Sequence, residues 1–272
     1  KDTSLLHHLI GSRSLVWNLA KNDIKKKFAG SYFGVVWAFV QPVITVLLYW
    51  FVFEKGLNSK ATDLRTGIEI PFVLWLTAGL VPWFYFQEAL NGGTGVLVEY
   101  SYLVKKVVFQ IDMLPVVKMI SALFTHLFFV AFTIVLFICM GYMPDWYALQ
   151  VVYYSFCMIL FATGLVYATS AVTVFFRDMK EVVGILLQIG MWVTPIMWNF
   201  ETMVQIPGWA IAVLKLNPMY YIVSGYRNAL INHIGFWEDM GITVYFWVVT
   251  AVILFLGTTV FKRLRPHFAD VL

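Results

Sequence analysis

The segment MISALFTHLFFVAFTIVLFICM, Met119–Met140, contains no Asp, Glu, Lys or Arg. Coiled as an α-helix at 1.5 Å per residue it reaches about 33 Å, enough to cross a hydrocarbon core of about 30 Å. It is apolar on every side rather than along one stripe, so its solvent is lipid or the inside of a bundle. Moving outward in both directions, five further segments have the same character: Tyr32–Phe53, Pro71–Ala89, Leu149–Phe176, Val182–Phe200 and Ile242–Phe261. The expected fold is an all-α membrane protein with six transmembrane helices. Residues 32–272 form one transmembrane domain, and residues 1–31 form a separate N-terminal segment.

Composition supports this reading. The chain of 272 residues is 61% hydrophobic and 12% charged, with a mean hydropathy of +0.79. Charged residues make up about 25% of ordinary soluble domains, so this chain carries roughly half that share. The net charge of +4 comes with no basic patch interleaved with exposed polar sequence, which argues against nucleic acid as a partner. Both cysteines, Cys139 and Cys157, lie in apolar runs and read as buried thiols; no metal site is expected. Fourteen of the nineteen Lys and Arg fall on one set of alternate connections when six spans are drawn. By the positive-inside rule that set is cytoplasmic, with both termini, and the membrane is the plasma membrane.

Two regions depart from simple spans. In residues 1–31, Val16, Ala20, Ile24 and Phe28 recur every fourth position opposite Lys21, Asp23, Lys25 and Lys26. This describes an amphipathic helix lying at the inner interface, with Lys25, Lys26 and Lys27 as head-group candidates. Between spans five and six, Ile206–Leu216 and Met219–Ile231 are too short to cross and are divided by Asn217–Pro218, an N-cap followed by proline at the first helical position. They read as short outer re-entrant helices.

The chemistry that is missing narrows the function. The chain has no G-x-x-x-x-G-K-[ST] phosphate loop, no H-E-x-x-H and no G-x-S-x-G. The span cores as drawn hold no charged residue of the kind ion-coupled carriers use. His126, alone in mid-span, reads as a helix-to-helix hydrogen bond ahead of a metal ligand or proton relay. Energy for uphill transport would therefore enter from a partner. A gradient-driven channel or carrier, and a membrane enzyme of lipid-linked sugars, are the competing readings.

Aromatic residues make up 18% of the chain. Their flat faces and polar edges suit a sliding sugar. Trp37, Gln41, Tyr49, Trp83, Tyr85, Gln188, Trp192 and Thr194 are the candidates for a transport pathway, with Gln41 and Thr194 each preceding a proline that frees a carbonyl. Two inner loops are placed to receive force. Tyr100, Tyr102, Leu103, Lys105 and Lys106 belong to one, and Arg177 and Asp178 to the other.

Four stretches carry a family likeness. They are Leu103-Val104-Lys105-Lys106-Val107 with Phe109 and Leu114-Pro115; Phe175 to Glu181; Trp192-Val193-Thr194-Pro195-Ile196; and Leu216-Asn217-Pro218 through Gly225-Tyr226-Arg227. In content and order they resemble the type-2 ABC exporter permeases for lipid-linked polysaccharides, which include exporters of O-antigen, capsule and wall teichoic acid. Tyr220–Asn228 and the tail Arg265–Leu272 lean toward the wall teichoic acid exporter permease. The resemblance implies a homodimer of this chain and two copies of a separate ABC ATPase carrying ATP and Mg, with no catalytic site or cofactor in this chain. It implies a coupling helix near Tyr102 and a substrate linked to undecaprenyl diphosphate, its diphosphate handled near the inner basic residues.

Overall fold

A computed structural model of the chain describes residues 13–27, 29–104, 110–198 and 207–272. Helix α1 spans Arg13–Lys27, α2 spans Trp37–Trp50 and α3 spans Phe72–Thr94. Short helices α4, Val96–Glu99, and α5, Ser101–Val104, precede α6 at Met113–Cys139. Then come α7 at Gln150–Phe175, α8 at Met179–Val193, α9 at Gly208–Lys215, α10 at Pro218–Arg227, α11 at Met240–Leu264 and the terminal turn α12 at Phe268–Val271.

Among the described residues, four helical stretches are long and apolar enough to cross a membrane: Trp37–Gly56, Met113–Cys139, Trp146–Phe175 and Met240–Val271. The other two expected spans are different. Helix α3 has the length, but Gln87, Glu88 and Asn91 make its second half polar. Helix α8 has 15 residues and reaches about 22 Å, and it stops at Val193 rather than near Phe200. The cause is local: Thr194 precedes Pro195 and takes an extended ψ of 127°, as a residue before proline is driven to do. Residues 199–206, and Phe28 at the end of the α1 stripe, lie outside the described residues.

Helix α3 is the axis of the molecule. It is buried along most of its length, including Leu74, Leu76, Ala78, Leu80 and Ala89 at 0% exposure. Its threonines return their hydroxyls to its own carbonyls, Thr77 to Val73 at 2.6 Å and Thr94 to Leu90 at 2.7 Å. Small residues let neighbours close on it: a Cβ at Gly93 would overlap Val166 of α7. Helices α7 and α11 meet just as closely, where Gly257 faces the backbone of Gly164, the small-residue contact expected when lipid gives helices little hydrophobic reason to associate.

Helix α1 buries its apolar stripe in protein. Val16 and Ala20 pack on Met113 and Val117 of α6, while Leu15 and Trp17 stay exposed. Helix α2 is loosely held, with Val46 buried and Ile44, Leu47, Leu48 and Phe51 exposed. Its last turn widens into a π-helix at Phe51–Gly56.

Beyond α2, in a connection for which the sequence offers no periodic signal, lies a small hairpin. Strands β1, Ala61–Thr62, and β2, Glu69–Ile70, pair antiparallel. Asp63 organises the turn: its carboxylate accepts the Arg65 amide at 2.8 Å and the Thr66 hydroxyl at 2.6 Å. Burial alone would raise this carboxyl; the bonds from Thr66 and Arg65 outweigh it and hold Asp63 below its usual range. The hairpin docks on the segment after α10, where Asn232 Oδ1 accepts the Leu64 amide at 3.0 Å and Arg65 donates to the His233 carbonyl.

Helices α9 and α10 are short, as expected. Asn217 caps α10 by accepting the Met219 amide at 3.0 Å, with Pro218 at the first position. Its amide also donates to Thr194 Oγ1 at 2.8 Å, tying α10 to the break after α8. Arg227 strengthens that tie. It is 6% exposed, donates to the carbonyls of Pro195 at 2.7 Å and Ile196 at 2.6 Å, and lies 3.3 Å from the centre of the Trp75 ring. Gly79 leaves the room: a Cβ there would stand 2.7 Å from the guanidinium.

Candidate functional site

Four helices bring one periodic stripe each to a common cavity of about 620 Å³. Asp23, Lys26 and Lys27 lie at i, i+3 and i+4 on α1. Trp37 and Gln41 lie at i and i+4 on α2. Gln87, Glu88 and Asn91 share a face of α3, and Lys118, Ser121, Ala122 and Thr125 share a face of α6. Residues at these spacings project from the same side of a helix. Glu99 and Lys180 complete the wall.

Two of its lysines are ion-paired. Lys118 reaches Asp23 at 2.6 Å and Glu99 at 2.9 Å, and Lys27 reaches Glu88 at 2.6 Å. The Tyr100 hydroxyl donates to Asp23 at 2.9 Å. Burial, then the bond to Asp23, pushes the Tyr100 hydroxyl well above its ordinary value, so it remains a donor. Lys26 lies over the rings of Tyr100 and Tyr102, 5.3 and 5.9 Å from their centres. The Asp23 and Lys118 side chains are only 6% and 13% exposed, so each charge depends on the other. The half-exposed Lys27–Glu88 pair is worth little energetically. The arrangement is a cavity of four lysines and three carboxylates, basic by one charge. The counter-ions that Lys27 and Lys118 now have are side-chain carboxylates.

The sequence candidates are distributed as follows. Lys26, Lys27, Trp37 and Gln41 meet in the cavity, while Lys25 does not line it. Tyr100, 2% exposed, does not line the cavity but supports its Asp23 through the hydroxyl; Tyr102 is 52% exposed and Leu103 is partly buried at the end of α5. Lys105 and Lys106 lie outside the described residues. Arg177 and Asp178 are exposed in the turn between α7 and α8, as are Gln188 and Trp192 on α8. Trp83 and Tyr85, each 2% exposed, sit within the chain's own core: the Trp83 ring packs over Gly190, and Tyr85 lies beside His126. Thr194 is buried against Asn217, and Tyr49 is half-buried with its ring edge-on to Phe53.

His126 joins helices, as its mid-span position suggested. Its Nε2 lies 3.2 Å from Ser155 Oγ on α7 and 3.1 Å from the Tyr226 hydroxyl on α10. Among the described residues no group of His, Cys, Asp and Glu could hold a metal ion.

The sequence reading missed Asp23, Glu99, Lys118 and Lys180 as site residues. Lys118 was placed just before a span beginning at Met119, but α6 starts at Met113 and carries Lys118 inside its second turn. A helical stripe of Lys118, Ser121 and Thr125 was the available signal.

The sequence matches known transport proteins along most of its length. Residues 14–231 match the family model described as ABC-2 type transporter. The chain is 25% identical over 266 residues to the O-antigen export system permease protein RfbA of Myxococcus xanthus, covering 98% of each. It is 21% identical over 258 residues to the protein of the same description in Klebsiella pneumoniae, covering 93% of each.

Proposed function

The chain belongs to the ABC-2 type transporter family, and from that premise we propose that it is the membrane-spanning permease subunit of an ATP-driven exporter for a lipid-linked cell-surface polysaccharide. The supporting observation is the likeness along 98% of the chain to a protein described as an O-antigen export permease. The named relatives favour an O-antigen-type polymer over the wall teichoic acid suggested by Tyr220–Asn228 and the C-terminal tail.

In this reading the cavity between α1, α2, α3 and α6 faces the cytoplasm and receives the diphosphate of the carrier lipid, with Lys26, Lys27 and Lys118 opposing its charge. Six spans include α3 and α8, and α9 with α10 re-enter from the outer side. Two copies of the chain form the pathway. The apolar faces of α2 and α8, with Trp37, Leu48, Ile189 and Trp192 exposed, are surfaces that a second copy or lipid would cover. A separate ATPase, in two copies, docks beneath the exposed Tyr102 and the Arg177–Asp178 turn.

The test is purification of the chain from its native membrane in mild detergent, followed by mass spectrometry. The expected result is an ATPase with a phosphate-binding loop at equal stoichiometry, and loss of surface polymer when the chain is deleted. A chain that purifies alone and whose deletion leaves the surface polymer intact would overturn the proposal.

A further inference from the structure

A second cleft, of about 240 Å³, lies at the other end of α3. It touches Trp75, whereas the charged cavity touches Glu88, about 20 Å further along the helix. Helix α10 forms one wall in an unusual way. Its core-facing side, Met219, Ile222, Val223 and Tyr226, is buried, but Tyr220 and Ser224, and Asn228 at the start of the π-helical turn that follows, recur every fourth residue along the cleft and are only half-buried. A smaller cavity of about 90 Å³ continues along the same stripe, sharing Tyr220, Ser224, Asn228 and Asp239. Trp198 also lines the cleft.

We propose that this cleft binds one or two sugar units of the exported polymer, at the end of the pathway remote from the charged cavity. The inference rests on the transport reading above and adds a saccharide site to it. Sugar rings carry apolar C–H faces and hydroxyl edges that both donate and accept. The rings of Trp198 and Tyr220 supply faces. Asn228 Oδ1 accepts from Asn232 at 2.8 Å, which leaves the Asn228 NH₂ to donate into the cleft. Asp239 uses one oxygen to cap the Ile242 amide at 3.2 Å and keeps the other as an acceptor. The Ser224 hydroxyl does both. The back wall is rigid, because Arg227 is fixed over Trp75 and against the Pro195 and Ile196 carbonyls, so the cleft is organised before any ligand arrives. The Asp239 carboxylate opposes an anionic head group, and the polar stripe opposes an acyl chain.

The permease–ATPase complex, in nanodiscs, would be titrated with the strain's own surface polymer after mild acid has cleaved it from its lipid, and followed by tryptophan fluorescence. The expected result is saturable binding that Ser224→Leu and Asn228→Leu each weaken about tenfold, the loss of one good hydrogen bond. Two variants are used because Asn228 also holds Asn232; Ser224 carries no such burden. Undiminished binding in both variants would overturn the proposal. So would equal competition by inorganic phosphate or by phospholipid, which would make the cleft an anion or lipid site. If the complex exports polymer yet binds none of the delipidated form, the saccharide site is wrong and the transport reading stands. If the complex exports no polymer, both are wrong.

Discussion

The two ends of α3 each bury a cation, and they treat it in opposite ways. Lys118 is held by Asp23 and Glu99, two carboxylates from different elements. Arg227 is held by the Pro195, Ile196 and Trp75 carbonyls and by the Trp75 ring. A lysine is a point charge on a flexible stem, and its counter-ions can be exchanged for another anion. An arginine is a planar fork that fits one arrangement of acceptors. On the proposed function, the difference separates a site that would change partners from a fixture that holds α3, α10 and the break after α8 together.

Substitutions that separate charge from geometry test this contrast. The largest effect is expected at Arg227. Arg227→Met should cost about 4 kcal/mol, and Arg227→Lys nearly as much, because the charge survives but the fork does not. Thermal melts of the detergent-solubilised protein report this; a near-native Arg227→Lys would erase the contrast. At the other end, Lys118→Met should cost about 3 kcal/mol by leaving Asp23 buried without its ammonium, while Lys118→Arg should be nearly neutral. The double variant Asp23→Asn with Lys118→Met should recover much of that loss, and a double-mutant cycle measures the coupling. Strictly additive losses would mean the pair does not work as a unit.

Glu88→Gln, at the half-exposed pair with Lys27, should change stability by less than about 1 kcal/mol. Its effect should appear in transport, as a changed response to salt in reconstituted export; an unchanged salt profile would remove Lys27 from the head-group role. The smallest effect concerns the hairpin beside the Arg227 end. Asp63 titrates lower in the folded chain than its ordinary value of 3.8, so its contribution is complete above that value and is lost only as pH falls through the lowered one. Hydrogen-exchange protection at residues 61–70, after correction for the intrinsic pH dependence of amide exchange, should therefore not change between pH 7 and about pH 5 on this account. Loosening within that window would assign the turn to another group.

Much of the fold was legible because it is local. Four helices long and apolar enough to cross a membrane coincide with expected spans, and the Asn217–Pro218 cap appears where the dipeptide placed it. The failures were also local in origin. Proline 195 shortened α8 through the backbone of Thr194, and the 57–70 connection formed a hairpin around Asp63 because its side chain satisfies the turn amides. The charged cavity was only partly legible. Lys26, Lys27, Trp37 and Gln41, singled out by spacing and type, line one cavity, but Lys118 meets Asp23 across 95 residues and Tyr100 meets it across 77. Trp83 and Tyr85 carry the same aromatic signal as Trp37, yet face the core, since residue type alone does not say which side of a helix is covered.

The sequence by itself determined the solvent of this protein and the helical state of its chain, because runs of apolar residues without charge leave the backbone only its own hydrogen bonds to make. It also determined where helices break, through proline and asparagine acting within a turn of themselves. Only the tertiary structure decided which buried charge faces which counter-charge, and which aromatic rings are walls and which are core. Those outcomes depend on distances between residues far apart in sequence, and on the cost of leaving any one of them buried without its partner.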